Sequence, residues 1–420
     1  VIRTLSHPSQ TPPFLRLEDG EFNGKRVLVR VDFNVPMDQN GRILDDTRIV
    51  ESLPTLQYLS DHGARVILLT HRGRLKDADR AQERVRQALS LKPIASALSN
   101  LIGKPVGFIA DCIGPEVEKA VKALPNGGIL LLENTRFHAG EETNNADFVH
   151  ALTSLGDAYV NDAFSAAHRA HASTEGLAHC LPSYGGKALF SELAALESVL
   201  KHPKRPVLAL IGGSKISTKI HILTNLVKYV DSLVVAGAMA NTFLAAMGFS
   251  IGRSLYEPDQ LDTARDVAAQ ASQTGCRLML PKDVCVAPEL EPHTQTRFCD
   301  LANIANEDRI GDIGPQSIAA LEEELARCHT ILWNGPLGAF EIPPFDHGTV
   351  TIARRVAQLT EDGVLTSIAG GGDTVAVLNH AAAAHDFSHV STAGGAFLEW
   401  LEGRPLPGIE ALRAHIKPSL

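Results

Sequence analysis

At 420 residues, 44% hydrophobic and 21% charged, the chain carries enough apolar material for two or three domains of the usual ~100–200 residues. A formal net charge of −9 without any basic stripe excludes a general nucleic-acid binder. No stretch approaches the ~20 apolar residues of a membrane span, Val1 to Gly20 lacks the apolar run of a secretory signal, and six cysteines without a C-x-x-C pair read as reduced thiols of a cytoplasmic enzyme.

Short apolar runs recur along the chain, separated by longer helical patterns. In the first half they are Arg26–Val31, Val66–Thr70, Val106–Ile109, Ile129–Leu132 and Ala158–Val160. In the second half they are Val207–Ile211, Leu233–Ala236, Leu278–Pro281, Ile331–Trp333, Val364–Ile368 and His389–Thr392. Near-continuous apolar runs suit strands covered on both faces, and strands alternating with helices imply parallel sheets. About eleven such strands exceed one compact sheet, so the expected fold is α/β with two doubly wound parallel-sheet domains. Between them, Gly185-Gly186 opens a segment in which Leu189, Leu193, Leu196 and Leu200 follow at helical spacing, and His202-Pro203 closes it. The expected division is residues 1–185, a joining helix and hinge over 186–202, a second domain over 203–402, and a final segment 403–420.

The informative polar residues stand just after the predicted strands, at the carboxyl edge where open α/β sheets bind ligands. After the first strand come Asp32 and Asn34, able to bind substrate hydroxyls or to form an ordinary strand-ending turn. Arg48 follows near a helix start, where a surface salt bridge to Asp45 or Asp46 is the plain alternative. The run His71-Arg72-Gly73-Arg74 leaves room for a close anion. Arg136 lies in Glu133-Asn134-Thr135-Arg136-Phe137, and His168, Arg169 and His171 follow the fifth strand. The two histidines lack a Cys or carboxylate partner at metal-ligand spacing, so an anion site fits them better, with Arg supplying planar forks for phosphate or carboxylate.

The second half is glycine-rich at the same edge. Gly212-Gly213-Ser214-Lys215 opens a loop that ends at Lys219, and the two lysines share a face if a helix has begun. It is not a Walker A loop. Trp333-Asn334-Gly335-Pro336-Leu337-Gly338-Ala339-Phe340-Glu341 follows another strand, and Glu341 is a candidate acceptor for ribose hydroxyls. Gly370-Gly371-Gly372-Asp373-Thr374 joins a strand to a helix start, a ready anion site. Asp373 reads as an N-cap, a Mg²⁺ ligand beside nucleotide phosphates, or both. Ser391-Thr392-Ala393-Gly394-Gly395 forms a last glycine loop.

Together RVDFNVP, HRGR, ENTRF, HRAHAS, GGSKISTK, WNGPLGAFE, GGGDT and STAGGAFLEWLEG resemble the phosphoglycerate kinase family, in its bacterial form, from about residue 15 onward. The resemblance implies two Rossmann-like domains and reversible transfer of the acyl phosphate of 1,3-bisphosphoglycerate to Mg-ADP, giving 3-phosphoglycerate and ATP. It implies direct in-line transfer after domain closure, by a monomer, with the final segment packing back on the first domain. By matching positions, Asp32, Asn34, Arg48, His71, Arg72, Gly73, Arg74, Arg136 and Arg169 would form the phosphoglycerate site. Gly213, Lys215, Lys219, Gly237, Asn334, Glu341, Gly370, Gly371, Gly372, Asp373 and Thr374 would form the nucleotide site, with Asp373 holding Mg²⁺. Arg48, Lys219, Gly371 and Gly394 would act on the transferring group, with Gly395 beside them.

Two positions depart from the family pattern. Arg72 replaces the usual leucine of the H-L-G-R loop, and its charge is expected to point to solvent. Ala393 stands where a glycine is usual, and a positive φ there would strain it. Two rival readings are an NAD-dependent dehydrogenase, disfavoured because no G-x-G-x-x-G opens the first unit, and a non-catalytic nucleotide-binding scaffold.

Overall fold

The computed structural model describes residues 14–413 apart from Gln39 and His202. The chain divides into two compact units. Among the described residues, one comprises 14–193 with 405–413 and the other 194–404. The division in mid-chain falls inside a single helix, Lys187–Leu200.

In the first unit the strands are β1 (Arg26–Arg30), β2 (Arg65–Leu69), β3 (Val106–Ile109), β4 (Ile129–Leu132), β5 (Ala158–Asn161) and β6 (Ser183–Gly185). They form one sheet of order β3-β4-β2-β1-β5-β6, with every pairing parallel. The Val, Leu and Ile side chains of β1, β2 and β4 are almost wholly buried, as a sheet covered by helices on both faces requires. The chain runs outward from β1 on one side and restarts at β5 on the other. The strand order therefore reverses between β1 and β5, which places a crevice at their carboxyl ends.

The second unit repeats this plan with β7 (Val207–Ile211), β8 (Ser232–Val235), β9 (Arg277–Met279), β13 (Thr330–Asn334), β14 (Thr366–Gly370) and β15 (His389–Ser391). Their order is β15-β14-β13-β7-β8-β9, again all parallel, and the reversal lies between β7 and β13. Trp333, buried on β13, packs near Phe387 in the core of this unit.

Two features were not expected from sequence. A separate antiparallel sheet forms from β10 (Asp283–Ala287), β11 (Arg297–Asp300) and β12 (Arg309–Ile313), in the order β11-β10-β12. β12 mixes charged residues into a short run and β11 lies largely at the surface, so of the three only β10, with Val284–Ala287, carries an apolar run. The edge strand β6 is only a short segment running into the expected divider at Gly185-Gly186. It exists because β5 offers a free parallel edge.

The helix Lys187–Leu200 is anchored at its start by side chains of the first unit. Asp162 Oδ1 accepts the N–H groups of Ala188 (2.9 Å) and Leu189 (3.3 Å), and Thr55 Oγ1 accepts that of Lys187 (2.8 Å). These bonds satisfy amides that have no partner inside the helix. The helix Pro407–Arg413 packs on the first unit, against the π-helical turn Ala172–Gly176, the helix Leu177–Cys180 and β6. It buries Ile409 and Leu412 there. Among the described residues no helix is long and apolar enough to cross a membrane.

Candidate active site

At the β1/β5 crevice the polar groups are tied to one another. Asp32 follows β1, and its Oδ2 accepts Arg48 Nη1 at 2.7 Å and also the hydroxyl of Ser165, which follows β5. Arg48 also donates to the carbonyl of Asn34 at 3.3 Å. Its ion pair is with Asp32, while Asp45 accepts from Thr47 and its pKa is also lowered by the Arg48 charge. Asn34 Oδ1 accepts the N–H of Gly73 at 3.0 Å, joining the loop after β1 to the loop after β2.

The loop after β4 locks onto the same loop. Asn134 Oδ1 accepts the N–H groups of Arg72 and Arg136, both at 3.2 Å, and its Nδ2 donates to the carbonyls of Arg72 (2.8 Å) and Leu89 (3.2 Å). Arg136 is buried and donates to the Gly73 carbonyl. Burial lowers its pKa to about 10, while the Glu142 carboxylate, 3.3 Å away, works against that. Arg136 stays charged at neutral pH.

His71 is buried at the centre of this group. Its pKa is well below the usual histidine value, first because of burial and then because Arg30, Arg136, Arg169 and His171 face it. His171 is likewise pulled down, to about 4, by burial and the same arginines. Both imidazoles are therefore neutral at pH 7, and the positive charge of the site resides on guanidinium groups. Arg169 is half-buried and contacts His168 Nε2 at 3.2 Å; Arg74 is exposed. Arg72 does not point to solvent. It is half-buried, and Nη1 donates to the Ala88 carbonyl at 2.7 Å, on the helix Glu83–Leu89. Its side chain is thus committed to that helix, and its backbone contributes to the site through Asn134.

At the β7/β13 crevice the loops interlock through backbone. Gly212 N–H donates to the Asn334 carbonyl at 2.8 Å, and a Cβ on Gly212 would overlap the Pro336 carbonyl oxygen. Gly237 N–H donates to the Leu337 carbonyl at 2.9 Å, and Met239 N–H to that of Gly213 at 2.9 Å. Asn334 is buried; its Nδ2 donates to the Gly370 carbonyl at 2.7 Å, and its Oδ1 accepts Lys219 Nζ. Thr374 Oγ1 donates to the same Gly370 carbonyl (2.7 Å) and accepts Gly335 N–H (2.8 Å). Lys219, Asn334, Gly370 and Thr374 are thus gathered at the ends of β7, β13 and β14.

Three readings of this half change. Lys215 and Lys219 do not share a helix face, because a 3₁₀ turn over Ile216–Thr218 separates them before the helix Ile220–Leu226 begins. Lys215 is exposed, whereas Lys219 turns inward to Asn334. Burial lowers the Lys219 pKa, opposed by Asp373 and Glu402. Asp373 is not an N-cap: Gly371 occupies that position before the helix Gly372–His380, and Asp373 lies exposed in the first turn. Ala393 is not strained, because the positive φ of that loop, 49°, falls on Gly394. Glu341 is exposed on the loop after β13.

Residues 17–404 match the family model described as phosphoglycerate kinase. The chain belongs to the phosphoglycerate kinase family. It is 55% identical over 402 residues to the phosphoglycerate kinase of Azorhizobium caulinodans, an alignment covering 96% of this chain and 100% of that one. It is 54% identical over 401 residues to that of Rhizobium meliloti, covering 95% and 99%. Among solved structures it is similar to phosphoglycerate kinase from Coxiella burnetii, with a TM-score of 0.88, 42% identity and coverage of 96% and 100%. The Pyrococcus horikoshii enzyme gives a TM-score of 0.78 at 29% identity, covering 96% and 99%. Enzymes of the phosphoglycerate kinase family transfer the acyl phosphate of 1,3-bisphosphoglycerate to ADP.

Four further residues build the β1/β5 crevice. Arg30, Glu141 and Ser173 are buried against its basic group, and Ser165 ties the loops after β1 and β5. Arg30 was hidden within an apolar strand run, where a charge that is buried and paired is itself the signal.

Proposed function

We propose that this chain catalyses the reversible transfer of the acyl phosphate of 1,3-bisphosphoglycerate to ADP, with phosphoglycerate held at the β1/β5 crevice and nucleotide at the β7/β13 crevice. What carries the assignment is the difference in chemistry between the crevices. The first presents fixed guanidinium groups, suited to a small dianion with a carboxylate. The second presents interlocked glycine turns and a helix start, suited to polyphosphate approached by backbone N–H groups.

In this reading Asp32 and Asn34 address substrate oxygens, and Arg136, Arg169, Arg74 and His71 hold the phosphate and carboxylate ends. Arg48 and Lys219 neutralise the transferring group, assisted by backbone at Gly371 and Gly394. Gly213, Lys215, Gly237, Glu341 and the Gly370–Thr374 turn cradle the nucleotide. The acyl phosphate is already reactive, so no covalent nucleophile is needed. The requirement is in-line alignment, and the proposal therefore includes closure of the two loaded units as a step.

Mg²⁺ fits the residues present. Asp373 is exposed in the first turn of its helix, beside the glycine turn proposed for phosphate, and one carboxylate plus phosphate oxygens is a usual Mg²⁺ arrangement. The ion would neutralise phosphate charge on the bound nucleotide. The same reading places the enzyme in the cytoplasm as a monomer. The test is a coupled assay with ATP and 3-phosphoglycerate, with and without Mg²⁺. Mg²⁺-dependent turnover is expected, and its absence from folded protein would overturn the assignment.

A further inference from the structure

Behind His71 lies a buried chain of polar groups whose direction is fixed by chemistry. Glu141 is 0% exposed, and its carboxylate accepts the Ser173 hydroxyl at Oε1 (2.6 Å) and the Ser173 N–H at Oε2 (3.1 Å). Ser173 is also 0% exposed, and its Oγ accepts Arg30 Nε at 2.8 Å. Arg30, 1% exposed on β1, donates from Nη1 to the Val31 carbonyl and places Nη2 2.8 Å from His71 Nδ1. A guanidinium has no acceptor atom and is not deprotonated in proteins. Nδ1 of His71 must therefore supply the lone pair, and the ring proton must sit on Nε2, which has no partner among the described residues.

We propose that Glu141 is a positioning residue for the phosphoglycerate site, acting through Ser173 and Arg30 to hold His71 as the neutral Nε2–H tautomer that donates to a substrate oxygen. The carboxylate orients the serine hydroxyl, the hydroxyl orients the guanidinium, and the guanidinium selects the tautomer. The anchoring is tight at its far end. Tyr159 donates its hydroxyl to the carbonyls of Ser173 (2.8 Å) and Thr174 (3.1 Å), and Glu141 O accepts the Ala172 N–H at 2.9 Å. His171 faces the same carboxylate with Nδ1 at 4.0 Å. The groups around His71, namely Arg30, Arg136, Arg169 and His171, all disfavour its cation. Glu141 thus closes the far end of the chain that fixes Arg30 beside the imidazole.

The inference rests on the phosphoglycerate assignment of this crevice, and the experiment separates the two. Side-chain ¹⁵N–¹H spectra of the wild-type protein, with His71 identified from the spectrum of His71→Gln, should show Nε2–H and a bare Nδ1 from pH 6 to 8. A protonated Nδ1 in that range overturns the proposal. Glu141→Gln should raise KM for 3-phosphoglycerate roughly ten-fold or more, the scale of losing a group that orients a ligand, and leave KM for ATP in place. It should also mix the His71 tautomers, with Glu141→Asp recovering part of both effects. If Glu141→Gln does not fold, Ser173→Ala cuts the same chain and carries the same expectation. A folded variant with an unchanged His71 spectrum and unchanged KM for 3-phosphoglycerate overturns the positioning role. His71→Gln with unchanged KM for 3-phosphoglycerate would instead remove this crevice from phosphoglycerate binding, whatever the tautomer.

Discussion

Arg48 Nη1 meets Asp32 Oδ2 at 2.7 Å, across the turn between β1 and the helix Thr47–Asp61. The carboxylate fixes the guanidinium at the β1/β5 crevice, and Ser165 fixes the carboxylate. Asp32→Ala should release Arg48 and lower kcat/KM for 3-phosphoglycerate by roughly 10²-fold, the cost of misplacing one charge partner. Steady-state kinetics with varied 3-phosphoglycerate measure this. Unchanged values in a folded variant would remove the pair from the site.

Arg169 faces His71 and lies in the first unit only. Arg169→Ala should weaken 3-phosphoglycerate binding by about ten-fold or more while ADP binding is unchanged, because a lost charge-assisted hydrogen bond costs about 1.5–3 kcal/mol. Calorimetric titration of each ligand distinguishes the two. Equal losses for both would contradict the division of substrates between the crevices.

Lys219 is drawn inward by Asn334, with its charge supported by Asp373 and Glu402 against burial. Lys219→Ala should lower kcat by roughly 10²–10³-fold. Asn334→Ala, which only frees the lysine, should cost less. Near-normal turnover by purified, folded Lys219→Ala protein would take the lysine out of phosphoryl transfer.

Gly212, in the loop after β7, and Gly372, the first residue of the helix after β14, differ in room. A methyl on Gly212 overlaps the Pro336 backbone carbonyl, whereas one on Gly372 meets nothing within 4 Å. Gly212→Ala should lower Tm by several degrees and impair nucleotide binding, since about 1 kcal/mol or more of overpacking strain must be relieved by moving backbone. Gly372→Ala should leave Tm close to wild type. Thermal unfolding of both variants checks the contrast.

Asp312 is buried beneath the loop after β13, accepting Gly348 N–H (2.7 Å) and Ile313 N–H (2.8 Å). Burial raises its pKa to about 7, above its ordinary value of 3.8. A carboxyl raised in the folded state is most favourable to folding below its unfolded pKa. That contribution is lost as pH climbs through about 4 to about 7. Asp312→Asn cannot ionise but loses one acceptor at every pH. The Tm of the variant relative to wild type should therefore improve from pH 5 to pH 8. A difference independent of pH would mean that Asp312 titrates normally.

The strands were legible because burial on both faces writes itself as Val, Leu and Ile runs. β4 and β7 fall where those runs fall. β11 was not legible, because Arg297–Asp300 lies mostly at the surface and pairs through backbone, which any sequence supplies. The strand-end polar residues were visible for the same reason the strands were, as breaks in an apolar pattern. Glu141 broke no such pattern, since it lies inside a polar loop; Arg30 broke one at the end of a strand, and only contacts across the fold give either its meaning. The orientation of Arg72 was equally hidden, since its partner is a main-chain carbonyl on a neighbouring helix.

The helix Pro407–Arg413 belongs to the first unit although the whole of Ala194–Arg404 precedes it in the chain. A ribosome reads in one direction, at ~5–20 residues per second. The nascent first unit must therefore wait roughly ten to forty seconds for its last helix, with the surface that will cover Ile409 and Leu412 still open to the cell. Sites on the Ala172–Gly176 turn, including Ser173 and so the hold on His71, acquire their final support only when that helix arrives. The second unit, contiguous over residues 194–404, has no such delay: its last residue is made before the helix that completes the first unit.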